Sequence, residues 1–468
     1  MIDTETPDVT TRANRGRAAR ANTPRSCHAE WSPPSDRRPA LDVLLEQEIT
    51  RVAELVPLRH ERMLESQFAF YRGAAAVMAG DLATTPASGI RVQCCGDAHL
   101  ANFGGFESPE RTLVFDINDF DETVPGPWEW DVKRLAASFV IAAHDRGFDD
   151  TVASAAVADT VRTYRETMRD FAGQSNLAVW YAKLDVQDAL TRWRGEIGTR
   201  SAKQIQRLAA QAHAKNSLRA LKKLTERIDG EIRIVDDPPL VVRIDTLWGA
   251  PAASELIAQM AELIRSYAHT LQPDRRVLID GYQFVDIARK VVGVGSVGTR
   301  CWIVLLLGRD DGDPLFLQVK EAEASVLEPF AGKSEYTLHG QRVVEGQRLM
   351  QATSDIFLGW ERFAGVDGVD RDYYVRQLWD GKVSADLQTL FAQQLSTYGR
   401  MCGWTLARAH ARSGDRIAIA AYLGSGDAFD RAITSFALRY AEQNAADYAA
   451  VSEAARSGRI PTNTPVPV

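Results

Sequence analysis

Residues 41–85 carry the three-to-four-residue apolar period of amphipathic helices, most clearly in "ESQFAFYRGAAAVMAGDLA". Pro86 and Gly89 end that pattern, and the apolar run "IRVQCC" after them predicts a short strand. The following "VQCCGDAHLANFGGFESPERTLVFDINDFDETVPG" reads as short β segments joined by a turn. From Trp128 to about Tyr267 the period is helical again, in Ala-rich, charge-laced segments such as "DVKRLAASFVIAAHD" and "SAKQIQRLAAQAHAKNSLRALKKLTER". From about Ile279 the signal turns to β-branched runs broken by glycine and by "RDDGDP", which predicts strands. Beyond Tyr336 helix returns, with one strand expected at "DYYVRQL". No internal repeat is evident.

Composition adds limits. With 468 residues, 45% hydrophobic and 25% charged, the chain is long enough for two or three domains with substantial cores. A net charge of -7 gives no footprint for nucleic acid or an anionic membrane. Cys27, Cys94, Cys95, Cys301 and Cys402 are too scattered for a disulfide framework, and no CxxC pair suggests structural zinc, so a cytoplasmic setting is expected. The first forty residues are polar and rich in Arg, Thr and Pro, without an apolar signal region, and are expected to be a disordered tail.

The candidate chemistry begins with Asp97, Asn102, Asp116, Asp119 and Asp121, crowded into one stretch of alternating turns and strands. Carboxylates so close repel unless a cation neutralises them, and a hard, oxygen-preferring ion such as Mg²⁺ suits Asp and Asn ligands. A second signal is "GVGSVG", with Gly293, Gly295 and Gly298 in GxGxxG spacing and Ser296 between them. A dinucleotide fold requires a helix after the third glycine, whereas "TRCWIVLLLG" predicts a strand that turns into another, "LFLQVK". Strand, glycine loop, strand and a third strand ending in Val-Lys form the phosphate-covering hairpin of kinase-like folds, with Lys320 as the nucleotide lysine. In that setting Asp97 precedes Asn102 by five positions, as the base and the Mg²⁺ ligand do in kinase catalytic loops.

Three stretches together, "CGDAHLANFG", "VFDINDFDE" and "PWEWDVKRLA", resemble the signature of aminoglycoside and choline kinase-like phosphotransferases. More closely, "RMLESQFAFYRGAAAVMAGDLA", "CGDAHLANFG", "FDINDFDETVPGPWEWDVKRLAAS", "RVVEGQRLMQ" and "YYVRQLWDGK" resemble the bacterial family known as domain of unknown function 2252, over most of residues 41–450. The kinase-like resemblance implies that Asp119, twelve residues before Asp131, is the metal aspartate and that Asp131 is structural, accepting backbone N–H bonds from the catalytic loop. Asp121 is a further ligand or an acceptor behind it, and Asp116 caps the turn. Gly293 and Lys320 follow Asp97 by about two hundred residues, the reverse of the kinase order, so the lobes are expected to be permuted.

The expected fold is therefore α+β, two-lobed and protein kinase-like. It divides into a tail at 1–40, a catalytic-loop and helical lobe at 41–275, a β-rich nucleotide lobe at 276–385, and C-terminal helices at 386–468 that end in a disordered tail. Residues 67–83 form one helix leading into the catalytic strand. Glu345, on a helix over "HGQRVVEGQRLMQATSD", is the expected partner of Lys320, with Glu323 and Glu328 as rivals. Arg72, Arg342 and His99 are candidate phosphate contacts. Cys94 and Cys95 are expected to be buried inert sulfur, with Cys95 standing where the resemblance has His, and His410 is expected in the core. The leading function is an ATP- and Mg²⁺-dependent phosphotransferase with a small-molecule hydroxyl acceptor and Asp97 as base. A catalytically silent nucleotide-binding regulator and a metal-dependent hydrolase using the acidic cluster are the alternatives.

Overall fold

The computed structural model describes residues 7–192, 217–365, 367–378 and 386–464, so much of the helical pattern expected over 201–227 lies outside the described residues. The chain is an α+β protein. Helices α1 (Val9–Asn22), α2 (Ala40–Glu48), α3 (Val56–Leu64), α4 (Gln67–Gly73) and α5 (Ala75–Ala83) lead into strand β1 (Arg91–Cys94). Strands β2 (Phe103–Glu107) and β3 (Leu113–Ile117) make an antiparallel hairpin, and β4 (Val124–Pro127) returns to pair with β1. Helices α6 (Trp128–Asp145) and α7 (Asp150–Ala172) pack with the C-terminal helices Ala392–Ser413, Arg416–Leu423 and Ala428–Arg456 around one large apolar core.

The second half of the architecture is a six-stranded antiparallel sheet in the order β11-β12-β10-β9-β8-β7. Its strands are β7 (Val241–Arg243), β8 (Gln283–Lys290), β9 (Cys301–Leu307), β10 (Pro314–Ala322), β11 (Gly359–Ala364) and β12 (Asp370–Gln377). Alternation along β10 decides what each face does, because neighbouring side chains in a strand point to opposite sides. Leu315, Leu317 and Val319 bury against Leu256, Met260, Leu263 and Tyr267 of the helix Ala250–Tyr267. Gln318 and Lys320 lie on the other face, opposite Arg376 and Tyr374 in the β12 register. That polar stripe faces the acidic segment after β3: Arg376 donates to the carbonyl of Asn118 at 3.3 Å and to Gln318 Oε1 at 2.8 Å.

Three expectations are corrected. The segment 128–270 is not one helical lobe, since β5 (Thr225–Ile228), β6 (Glu231–Ile234) and β7 stand inside it, and the helices from Ile244 onward support the sheet. Asp229 and Gly230 take φ of 50° and 89° in a two-residue hairpin turn, which sets the register of β5 and β6. Among the described residues of 1–40 there is no disordered tail: α1 lies on the helix Arg416–Leu423, Arg12 bonds Asp415 at 2.8 Å, and His28 and Trp31 are buried. Polar composition did not prevent this, because close helix packing and ion pairs replace a broad apolar stripe there. Residues 67–83 are two helices, broken at Ala74, where ψ reaches 32°.

Candidate functional site

The loop that carries Asp97 and Asn102 begins where β1 ends. Gly96 has φ +83°, a conformation that side-chain-bearing residues resist, and a Cβ there would collide with the carbonyl of Glu122. The turn is fixed by Asp131 of α6, which accepts from Cys95 N at 2.8 Å and Gly96 N at 3.0 Å, as expected of it. His410 adds a bond to Asp131 at 3.1 Å and one to the Tyr164 hydroxyl at 2.8 Å, which places it in the core as expected. Cys94 and Cys95 are fully buried, and burial first, then the charge of Asp131, pushes both thiols well above their ordinary range. They are structural sulfur.

Asp97 emerges from this turn against Arg134, whose Nε lies 2.5 Å from Oδ1. Burial raises the Asp97 carboxyl above its ordinary value, although Arg134 and Arg72 oppose that shift. Five residues on, Asn102 spends its amide N–H₂ on the carbonyl of Asp97 at 2.8 Å. Its amide oxygen, a hard donor, is thereby oriented away from that carbonyl. The carbonyl of Asn102 accepts from Asn118 N at 2.8 Å, tying this loop to the acidic segment.

That segment separates its aspartates sharply. Asp116 is sealed, ion-paired with Arg408 and accepting from Ala352 N at 2.8 Å, so its role is structural and wider than capping a turn. Asp119 accepts only the N–H of Asp121 at 3.1 Å among the described residues, and burial and the charge of Asp121 raise its carboxyl. Asp121 is ion-paired with Lys320 and accepts from the Tyr374 hydroxyl at 2.7 Å. Burial opposes its ionised form, but Lys320 and Tyr374 outweigh that and hold it below its usual value.

Lys320 and Tyr374 reach the same carboxylate because they are directly opposite in the β10–β12 ladder. The Lys320 ammonium also donates to Ser296 Oγ of the glycine loop at 2.8 Å. Burial disfavours its charge, yet Asp121, Tyr374 and Asp119 hold it above its ordinary value. The expected Glu345–Lys320 pair is absent: Glu345 pairs with Arg348 at 3.0 Å, because it falls off the buried face of the helix His339–Met350. Neither rival replaces it, since Glu323 is exposed and Glu328 lies 3.8 Å from Arg342. Arg342 is not a free phosphate contact either. It donates to the carbonyls of Thr123, Asp121 and Glu323 at 2.7, 2.8 and 2.7 Å, so this helix clamps the acidic segment rather than the lysine.

A cavity of about 850 Å³ joins these parts. Asp97, His99, Asn102, Asp119, Asp121, Gly293, Gly295 and Ser296 line it, together with Arg72 of α4. Lys320 stands one layer behind, covered by Asp121 and Ser296. Gly298, with φ +91°, packs on the stem of Arg51. The loop tip is anchored from below: Val294 is buried with Met63, Phe70, Ala74 and Val77, and Arg62 and Arg51 hold the carbonyls of Gly293 at 2.7 Å and Val297 at 2.5 Å. His99 is buried, and burial, then Arg72 and Arg134, hold its imidazole neutral. Its Nε2 lies 3.7 Å from Asp97 Oδ2 in the cavity wall.

Among the described residues no three His, Cys, Asp or Glu side chains form a metal cage of their own. The donor set nevertheless fits Mg²⁺. Asp119 and Asp121 are crowded carboxylates, Asn102 offers an amide oxygen, and this ion keeps several waters and shares the phosphate oxygens of its ligand. Sequence reasoning missed Arg134, Arg51 and Tyr374. Only Tyr374 had a readable signal, its place on the expected strand "DYYVRQL".

No curated protein and no solved structure matches the chain. A family model described as "Uncharacterized protein conserved in bacteria (DUF2252)" matches residues 51–454, so the chain belongs to that bacterial family.

Proposed function

We propose that the protein is a Mg²⁺- and ATP-dependent phosphotransferase acting on the hydroxyl of a small molecule. The observation that carries this reading is convergence. Asp97, Asn102 and Asp119 share one cavity with the glycine loop, although Asp97 and Ser296 lie 199 positions apart in sequence. The order β8, glycine loop, β9, β10 with Lys320, helix His339–Met350, β11 and β12 supports the reading, since a kinase-like nucleotide lobe placed after its catalytic lobe would run in that order. When bound, Mg²⁺ would neutralise charge on the phosphates, and Asn102 and Asp119, with Asp121, would hold it. Asp97, positioned by Arg134, accepts the proton of the acceptor hydroxyl, and its raised carboxyl suits that task. Lys320 orders Ser296 and Asp121 beside the cavity.

A nucleotide-binding regulator without turnover is the second reading, and the Asp97–Arg134 ion pair favours it because it occupies the carboxylate that would take the proton. A hydrolase using the acidic cluster alone fits less well: Asp116 is sealed against Arg408, and that reading leaves the glycine loop and Lys320 without a role. Incubation with Mg·ATP and a pool of hydroxylated metabolites, followed by mass spectrometry for phosphorylated products, is the test. Product that disappears in Asp97→Asn and Asp119→Asn supports the reading. Nucleotide binding without product supports the regulator, and an absence of both removes the nucleotide altogether.

A further inference from the structure

Most buried arginines around the cavity are already committed. Arg134 holds Asp97 and the carbonyl of Tyr71 at 3.1 Å, Arg408 holds Asp116, and Arg37 bridges Asp81 and Asp447, each at 2.6 Å. Arg72 is different. It lines the cavity, its Nε is buried without a hydrogen-bond partner, and among the described residues its guanidinium makes no hydrogen bond or ion pair. The carboxylates acting most strongly on it are Asp97 and Asp119, the two ends of the proposed chemistry. Arg72 is half-buried at the cavity wall, and its guanidinium N–H groups, unspent on the protein, are available there to an anionic ligand.

Its placement agrees with the glycine loop. A Cβ on Gly295 would stand 3.0 Å from the Arg72 carbonyl, so the loop rests directly on the Arg72 backbone. Val294 is seated in the apolar cluster of α3, α4 and α5, which couples the loop to the helix that carries Arg72. Whatever the loop covers, Arg72 meets from the helical side, while Lys320 remains behind Asp121 and Ser296.

We propose that Arg72 is a catalytic residue whose guanidinium contacts the phosphoryl group in transfer, between the metal side at Asp119 and the acceptor at Asp97. The proposal rests on the phosphotransferase reading. The acceptor oxygen bonds to the γ-phosphorus as the bond from that phosphorus to the β,γ-bridging oxygen breaks. The hydroxyl proton passes to Asp97 and ADP leaves. A planar guanidinium offers paired N–H groups to the equatorial oxygens, where charge develops.

The test pairs melting curves with turnover. Without ligand, Arg72→Gln is expected to melt within a few degrees of the wild type, because the guanidinium makes no hydrogen bond to the protein whose loss would loosen the fold. The melting shift given by Mg·tripolyphosphate is expected to require at least tenfold more ligand in that variant. ATP turnover in Arg72→Ala is expected to fall about 10³-fold in kcat with a much smaller change in KM, the size seen for arginines that stabilise phosphoryl transfer. Arg72→Lys and added guanidinium ion should each restore part of that loss. Turnover within threefold of wild type, or a ligand-free Arg72→Gln that melts far below it, would overturn the role of Arg72. A wild type that neither binds nor turns over Mg·ATP would overturn the phosphotransferase reading beneath it.

Discussion

Two ion pairs on the same short acidic stretch behave as different objects. Asp116 and Arg408 close completely on each other, with accessibilities of 0% and 1%, and the pair joins the β2–β3 hairpin to the helix Ala392–Ser413. Asp121 and Lys320 also pair, but Asp121 keeps 26% of its side-chain surface and forms part of the cavity wall. The first pair is sealed, with backbone groups of Ala352 and Met350 as its further partners, whereas the second borders a space that water, a cation or a phosphate can enter. Residue type and spacing do not distinguish them. What does is whether the elements packed around each carboxylate leave an opening.

The comparison predicts a graded series in folding stability. Arg408→Met leaves Asp116 buried without its cation and should cost about 3–5 kcal/mol, read by urea unfolding. If the loss is under about 1 kcal/mol, the pair is not the fastening described. Lys320→Met should cost less, about 2 kcal/mol, because Asp121 retains the Tyr374 hydroxyl and gains water from the cavity. Equal losses in the two variants would erase the distinction between sealed and open pairs.

Glu122, next along the chain, gives a pH-dependent effect of intermediate size. Burial, reinforced by Asp121 and Asp97 against the bond from Val326 N and the charge of Arg342, pushes its carboxyl up to about 7. The folded protein therefore holds a proton that the unfolded chain releases. That contribution to stability is fully present below the ordinary glutamate value and is lost as pH rises through about 7. Glu122→Gln should match the wild type near pH 4.5 and exceed it at pH 8 by about 1–2 kcal/mol. A difference independent of pH would contradict this. The smallest effect belongs to Asp119→Asn, which removes a repelling charge and should leave stability unchanged or raise it by less than about 1 kcal/mol. A loss above that would assign Asp119 to the scaffold.

The sequence was most legible where chemistry and local geometry coincide. Gly96, Asp97, Asn102 and Asp131 could be placed together because a tight glycine turn and an aspartate that accepts its backbone N–H groups require their residue types at fixed positions. The strands over 283–322 were legible from their β-branched runs, and the helix at 339–350 from its period. The hairpin at 225–234 also carried a readable sign, Asp-Gly between alternating residues, which the surrounding charge-rich helical pattern concealed. Partners across long sequence distances were not legible. Asp121 in place of Glu345 beside Lys320 depends on how the sheet meets the acidic segment, and Arg134 beside Asp97 depends on the turn that begins α6. The N-terminal helix was hidden because close backbone packing and ion pairs, rather than an apolar stripe, dock it.

Calorimetric titration of Mg·ATP into the wild type and Asp119→Asn tests the central claim most directly, because Asp119 is the carboxylate with least structural duty. The account predicts binding that requires Mg²⁺ in the wild type and is lost or at least tenfold weaker in the folded variant. At one hundred times the dissociation constant, the nucleotide should add about 2.7 kcal/mol to wild-type stability. Heat and stability unchanged by millimolar Mg·ATP in folded wild-type protein, or equal affinity in Asp119→Asn, would contradict it.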